Sequence, residues 1–356
     1  MTVLSDVFAP DGFGVYSLTA AIDKMPHAPT LIRDMKLFRE IPMNTTHAAI
    51  EEHQGVLALI PTTARGGPGI PGHDGDRVVR SFKVPHIQVD DTVLADDVIN
   101  TRSFGSQDAM SGTGEVVARK LETMKRSVDV TNEFCRRGAI NGKIFYPEDS
   151  IDADLDIYEQ FGLTNQATQD ALTQVDFLWG TDTKLLVGGI IRDIRYAIED
   201  ALGGTPYSGI VCLCGKTFFG RLINQGTITD MYKQVLAQHA LQAVQMQPGQ
   251  MNRQSITIDG VTFMEYYGQV GTSDGVGTDG YIQQLATARA FPVGADIFHS
   301  YVAPADLSEA AGTMGKPMYA RQYPSIDGKR QNLEVQSNML HICTRPGALI
   351  HCKSST

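Results

Sequence analysis

The sequence predicts an α+β protein, and three observations carry that reading. Residues 55–85 hold two apolar runs separated by a turn-rich stretch with almost nothing to bury. A charged helical run follows from about Glu115 to Arg137, with its apolar residues on one narrow face. From about residue 185 onward, helix-forming and strand-forming segments alternate.

Residues 1–54 mix apolar and turn residues, with a helix-compatible piece at Tyr16–Met25 and an extended segment near Leu31–Ile41; they are expected to form an arm and its first contacts with the core. In the next segment, 55–90, the run Val56–Ile60 predicts one strand and the positions Phe82, Val84, Ile87 and Val89 predict its partner. Residues 65–76 between them are rich in glycine, proline and aspartate, which supply turns. A hairpin with arms of about ten residues reaches roughly 30 Å, and an isolated two-stranded ribbon is marginal in water. It needs a surface to lie on, and a neighbouring copy of the chain is the natural candidate. The hairpin is basic, with Arg65, Arg77, Arg80 and Lys83 against Asp74 and Asp76.

In the helical run, Val117, Leu121, Met124, Val128 and Cys135 recur at spacings that place them on one face. Arg119, Lys120, Glu122, Lys125, Arg126, Glu133, Arg136 and Arg137 fill the remainder. So narrow a stripe predicts a helix lying on a thin layer, with Gly138 able to end it. A hairpin is expected next, Lys143–Tyr146 pairing with Ile151–Ile157, in which Asp152, Asp154 and Asp156 make an acidic solvent face. Leu185–Leu202 predicts a helix with Ile190, Ile194, Ala197, Ile198 and Ala201 inward, stopped by Gly203 and Gly204. A buried strand at Ile210–Leu213 and helices at Lys216–Asn224 and Thr229–Val244 follow. Ile256–Asp259 and Val261–Tyr267 predict a hairpin turned at Asp259 and Gly260. A glycine-rich loop (268–280) leads to a strand region near residue 295, and Leu333–Thr344 and Ala348–His351 read as closing strands. There is no internal repeat.

The 356 residues suffice for a good core, and no run is long enough to span a membrane. The N-terminus shows no signal-peptide pattern, so the chain is expected in the cytosol. Cys135, Cys212, Cys214, Cys343 and Cys352 sit in apolar surroundings and are expected to be small buried hydrophobes. A net charge of −10 argues against a nucleic-acid binder that works by neutralising phosphates.

Four motifs invite an enzyme reading, and each fails on its context. Gly209–Thr217 approaches a phosphate loop, but five strand-forming residues intervene where the loop needs four flexible ones. Gly271-x-Ser273-x-Gly275 matches a nucleophile elbow without the prompt helix that an elbow requires. Gly275-x-Gly277-x-x-Gly280 matches a dinucleotide fingerprint with no strand leading tightly into it. Asp152, Asp154 and Asp156 resemble the start of a calcium loop, but Ile157 stands where that loop needs glycine. The nine histidines show no zinc-ligand spacing. No catalytic, cofactor-binding or metal-ligating residue is therefore assigned.

A family resemblance is carried by the C-terminal third: Ala290–Ala295, Tyr301–Asp306, Met318–Gln322, Leu333–Asn338 and Cys343–Ile350, in that order. These blocks resemble those of the major capsid protein E family of tailed bacteriophages, and the upstream order of elements follows the same plan. The resemblance implies a Hong Kong 97-like fold: an N-terminal arm (1–54), an extended loop (55–90), a peripheral domain (91–181) with a spine helix at about 106–138 and a β-hairpin at 143–157, an axial domain (182–325), and C-terminal strands (326–356) returning to the core. It further implies a non-enzymatic subunit that forms pentamers and hexamers, closing into an icosahedral shell around double-stranded DNA. Implied partners are a scaffolding protein or protease, a portal protein and a decoration protein, with DNA held only non-specifically and no membrane. The implied location is the virion, after assembly in the host cytoplasm. On that reading the basic residues Arg65, Arg77, Arg80 and Lys83 of the loop meet Asp152, Asp154 and Asp156 of a neighbour. The rival readings are an encapsulin-like compartment and a cytosolic α/β nucleotide-binding or hydrolytic enzyme around residues 182–305, starting from Lys216 or Ser273.

Overall fold

The computed structural model describes residues 30–53, 77–94, 113–145, 155–163, 174–177, 186–224, 255–266, 285–326 and 330–353. The expected elements at 16–25, 56–60, 229–244 and 268–280 lie outside the described residues. In chain order the described elements begin with α1 (Leu31–Asp34), β1 (Arg39–Pro42), β2 (His47–His53), β3 (Arg77–Lys83), β4 (Ile87–Leu94) and α2 (Thr113–Ile140). Next come β5 (Lys143–Ile144), β6 (Leu155–Asp156), α3 (Ile157–Gln160), β7 (Gln174–Asp176), α4 (Leu186–Leu202), β8 (Gly209–Cys214) and α5 (Lys216–Ile223). The series ends with β9 (Ser255–Ile258), β10 (Val261–Glu265), β11 (Ala288–Val293), β12 (Phe298–Val302), β13 (Tyr319–Pro324), β14 (Arg330–Ser337), β15 (Met339–Cys343), a 3-10 turn (Pro346–Ala348) and β16 (Ile350–Lys353).

A six-stranded mixed sheet, ordered β7-β16-β11-β8-β10-β9, backs the largest apolar cluster. Helix α4 lays Ile191, Ile194, Ile198 and Leu202 into that cluster, and α5 adds Phe218, Phe219 and Leu222. Ala201, expected inward, is exposed, because the buried stripe runs through 191, 194, 198 and 202. The β9–β10 hairpin turns where expected: Asp259 (φ 48°) and Gly260 (φ 85°) both take the left-handed conformation that a two-residue turn requires.

The expected strand near residue 295 is two strands, with a corner at Gly294 and Asp296 between β11 and β12. The run Leu333–Thr344 likewise divides between two sheets. β14 is the middle strand of β13-β14-β4, whereas β15 joins β1-β12-β15. The division falls at Asn338, whose carbonyl accepts from Ala303 N–H at 2.9 Å and whose amide donates to the Pro304 carbonyl at 2.9 Å. The single strand expected through Phe82–Val89 is also divided: β3 pairs with β2, while β4 pairs with β14 from Ile87↔Ser337 to Leu94↔Arg330. Leu31–Asp34, expected to be extended, is a one-turn helix.

Helix α2, 28 residues and so about 42 Å long, crosses two environments. Its first half lies on the three-stranded sheet through Val117, Met124 and Val128 against Val93, Leu333 and Val335, as the narrow stripe predicts. Its second half does not lie on a thin layer, because Asn132, Glu133, Cys135, Ala139 and Ile140 are all buried. Gly138 is inside the helix instead of ending it; a Cβ there would strike the Phe145 ring, so glycine is what lets that ring pack. All five cysteines are buried free thiols, and burial pushes Cys135 and Cys343 up to about 12, as the hydrophobic reading predicts. Among the described residues, no helix is long and apolar enough to cross a membrane and no group of three acids, histidines or cysteines could hold a metal.

Candidate assembly surfaces

The β2–β3 ribbon begins on an apolar cluster and then leaves it. At its root, Ala48 pairs with Phe82 and Ile50 with Arg80, and Ala48, Ile50 and Phe82 pack with Ile144, Ile157, Leu340 and Ile342. Further along β3, the adjacent Val78 and Val79, whose side chains point to opposite faces, are 38% and 56% exposed. Both faces of the ribbon thus carry a valine that stays partly open to solvent. The valine pair was present in the sequence as an apolar interruption between Arg77 and Arg80, and the charge reading passed over it.

The residues proposed from sequence for contact between copies occupy different settings. Arg65, Asp152 and Asp154 lie outside the described residues. Arg77 opens β3, and Lys83 closes it on the exposed face. Arg80 is turned toward its own subunit: its Nε–H donates to the Gln160 carbonyl, and its guanidinium lies 4.8 Å from the centre of the Phe161 ring. Asp156 pairs with Lys143 in the short β5–β6 ladder and then caps α3, accepting from Tyr158 N–H at 2.8 Å. Asp156 and Arg80 thus hold opposite ends of one four-residue helix, where a carboxylate favours the N-terminus and a cation the C-terminus. The strand expected to run through Ile157 stops at Asp156 because that cap starts a helix.

A second exposed surface lies at the far end of the three-stranded sheet. β13 is its edge strand, and its side chains are exposed from Ala320 to Pro324. Tyr323 (39%), Leu94 (45%) and Ile326 (fully exposed) gather at the end where Arg330 pairs with Leu94. Arg321 forms a 2.7 Å ion pair with the buried Glu334, a charged device that blunts an open strand edge.

Of the enzyme motifs, Gly209–Thr217 lies wholly within the described residues. β8 runs as strand to Cys214, Gly215 sits at the start of α5 with extended backbone, and no loop intervenes to cradle a phosphate. The motifs at 271–280 lie outside the described residues. Ser300 Oγ and His341 Nδ1 are 2.7 Å apart, but both residues are fully buried and packed between β12 and β15, closed to substrate. Burial holds the His341 imidazole well below its usual range, with the Arg136 charge adding to the effect.

A buried carboxylate missed by the sequence reading organises the centre. Glu133, 1% exposed, accepts from the backbone N–H of Ile32 (2.6 Å) and Arg33 (3.2 Å) and from Tyr266 Oη (3.0 Å). Arg136 approaches it at 3.5 Å. Burial raises its pKa despite these donors. Charge alone suggested a solvated position, and only its place on the helix, in the half that sinks into the core, could have hinted otherwise.

Residues 14–354 match the family described as phage major capsid protein E. The chain is 24% identical over 355 residues to a major capsid protein of Pseudomonas phage KPP10, covering 97% of this chain and 98% of that one. It is 24% identical over 367 residues to a major capsid protein of Salmonella phage Felix O1, with 96% of each covered. In fold it resembles the mature capsid subunit of bacteriophage PhiM1, with a TM-score of 0.52 and 13% identity over 94% of this chain and 90% of that one. It also resembles the capsid subunit of the Myoviridae phage XM1, with a TM-score of 0.52 and 9% identity over 94% of this chain and 95% of that one.

Proposed function

The chain belongs to the phage major capsid protein E family, and from that premise we propose that its copies gather into pentamers and hexamers that close into an icosahedral shell around double-stranded DNA. It is a major capsid protein of the tailed-phage type with a Hong Kong 97-like fold. The observation that carries the assembly reading is the β2–β3 ribbon, which starts on its own core and then exposes Val78 and Val79. An apolar ribbon of this kind becomes stable when a neighbouring copy covers it, and weak contacts repeated around a closed shell become collectively strong. On this reading the basic residues Arg65, Arg77 and Lys83 meet acids of that neighbour, Asp152 and Asp154 among them. Arg80 and Asp156 serve the contact indirectly, by fixing α3 beneath the ribbon.

The shell is the virion's, formed in the host cytoplasm with a scaffolding protein or protease, a portal protein and a decoration protein as partners. The net charge of −10 supports a lining that holds DNA only non-specifically. The family is one of structural proteins, and we assign the chain no catalytic role. Electron microscopy with sedimentation tests the reading: the full chain, with its assembly partners, forms icosahedral shells or five- and six-membered rings, and deletion of Gly66–Asp76 leaves folded subunits that form neither. Monomers that never assemble would sink it.

A further inference from the structure

β13 leaves one edge of its sheet open. Ser325, directly after the strand, donates its N–H to the Arg330 carbonyl at 3.0 Å, continuing the ladder that pairs Tyr323 with Asn332 and Arg321 with Glu334. Backbone groups alternate in direction along an antiparallel strand, so Tyr319, Arg321 and Tyr323 use theirs on β14, and Ala320, Gln322 and Pro324 turn theirs away from the sheet. Pro324 has no N–H, and an outward position on an edge is where a sheet tolerates proline. All three outward residues are exposed. Among the described residues, nothing bonds the outward N–H and C=O of Ala320 and Gln322 or the Pro324 carbonyl. The opposite edge of the same sheet is treated differently: the Lys120 ammonium covers the Thr92 carbonyl of β4 at 2.5 Å.

An open edge is a template for another strand, and β13 is complementary to itself. Set antiparallel about a two-fold axis at Gln322, two copies of the strand place Gln322 opposite Gln322, Ala320 opposite Pro324 and Arg321 opposite Tyr323. The two Gln322 residues then exchange N–H and C=O bonds, and each Ala320 N–H reaches the Pro324 carbonyl of the second copy. Arg321, its charge held by Glu334, already lies 4.8 Å from the centre of its own Tyr323 ring. The axis at Gln322 brings the same two groups together across the edge, where a guanidinium and an aromatic ring attract. Moving the axis one residue toward the N-terminus sets Arg321 against Arg321, and like charges directly opposite are destabilising. We propose that β13 is a two-fold contact between copies of this chain, in which β13 of one copy pairs with β13 of another about Gln322 and joins two three-stranded sheets into one. This rests on the assembly reading above, because a closed icosahedral shell supplies two-fold axes, and at a two-fold each copy meets the same surface of its partner.

Disulfide trapping tests the contact, since the five native cysteines are all buried. Gln322→Cys, in shells assembled from the full chain with its partners, puts two thiols opposite each other on strands whose Cα atoms are about 5.5 Å apart, within disulfide reach. Diamide oxidation and non-reducing electrophoresis are expected to show most of the protein as a linked dimer that dithiothreitol reverses. Tyr323→Cys checks the register: its thiol faces Arg321 of the second copy and lies out of reach of its twin, so roughly tenfold less dimer is expected. Ala320→Cys combined with Pro324→Cys reads the ends of the same register and is expected to give dimer even where Gln322→Cys does not assemble. Shells of these variants that yield no dimer overturn the inference alone, as does an equal yield from Tyr323→Cys. A wild type that forms no shells is a different result, and overturns the assembly reading.

Discussion

Tyr266 donates its phenolic O–H to Oε1 of Glu133 across 3.0 Å, tying one strand of the six-stranded sheet to the C-terminal half of the long helix. The same carboxylate receives the N–H groups of Ile32 and Arg33, so one buried charge joins arm, helix and sheet. Removing the tyrosine hydroxyl takes one donor from a buried anion. Tyr266→Phe is expected to cost about 1.5–3 kcal/mol. Glu133→Ala, which strands two backbone donors and Arg136, is expected to cost about 3–5 kcal/mol. Urea denaturation of the unassembled subunit measures both.

Acid should weaken the subunit through its histidines. His351 has its pKa lowered from 6.5 to about 3 by burial, so the unfolded chain takes up a proton that the fold refuses. Its contribution is whole above about pH 6.5 and is lost as the pH falls toward 3, at ~1.4 kcal/mol per pH unit. His341, buried and lowered for the same main reason, adds the same sign. Stability measured between pH 6.5 and 4.5 should therefore fall with acid, and His351→Gln should reduce the slope by about one proton's share.

Glu133 works in the opposite sense. Its folded pKa is raised above 4.5, so what it contributes is complete below pH 4.5 and is lost as the pH rises through the raised value. Glu133→Gln removes that component, and comparing the pH dependence of the two proteins above pH 4.5 isolates it.

Gly138→Ala separates helix propensity from packing. Alanine should favour a helix interior by about 1 kcal/mol. Here its Cβ would strike the Phe145 ring, and overpacking of this kind typically costs about 1–3 kcal/mol. The variant is expected to melt below wild type; a gain in melting temperature would show that the ring moves aside at little cost.

Arg80 and Val79 should report on different events. Arg80→Ala loses the Gln160 and Phe161 contacts and should lower the stability of the unassembled subunit by about 1 kcal/mol. Val79→Asp, at an exposed position, should leave that stability within about 0.5 kcal/mol and suppress shell formation. Melting curves and sedimentation distinguish the two.

What the sequence disclosed depended on length and period. The α2 stripe and the Asp259–Gly260 turn were legible because a 3.6-residue period and a left-handed pair leave clear marks. α1 and α3 were not, since a four-residue helix has no period to show and depends on tertiary contacts and a cap. Leu333–Thr344 read as one strand because nothing in its pattern marks Asn338 as the point where the chain passes between sheets. At the ribbon, charge pointed to Arg80 as a residue for neighbours, but a long side chain on the inner face opposite Ile50 finds the nearest carbonyl and ring first.

β16 is an interior strand of the six-stranded sheet, parallel to β7 on one side and antiparallel to β11 on the other, although it is drawn from residues 350–353. Synthesis delivers those residues after every other strand of that sheet. A chain halted before Ile350 would leave β7 and β11 with unpaired edges and take Ile350 and Cys352 out of the largest core, so the subunit is expected to be complete as a folded unit only once its last strand has been made.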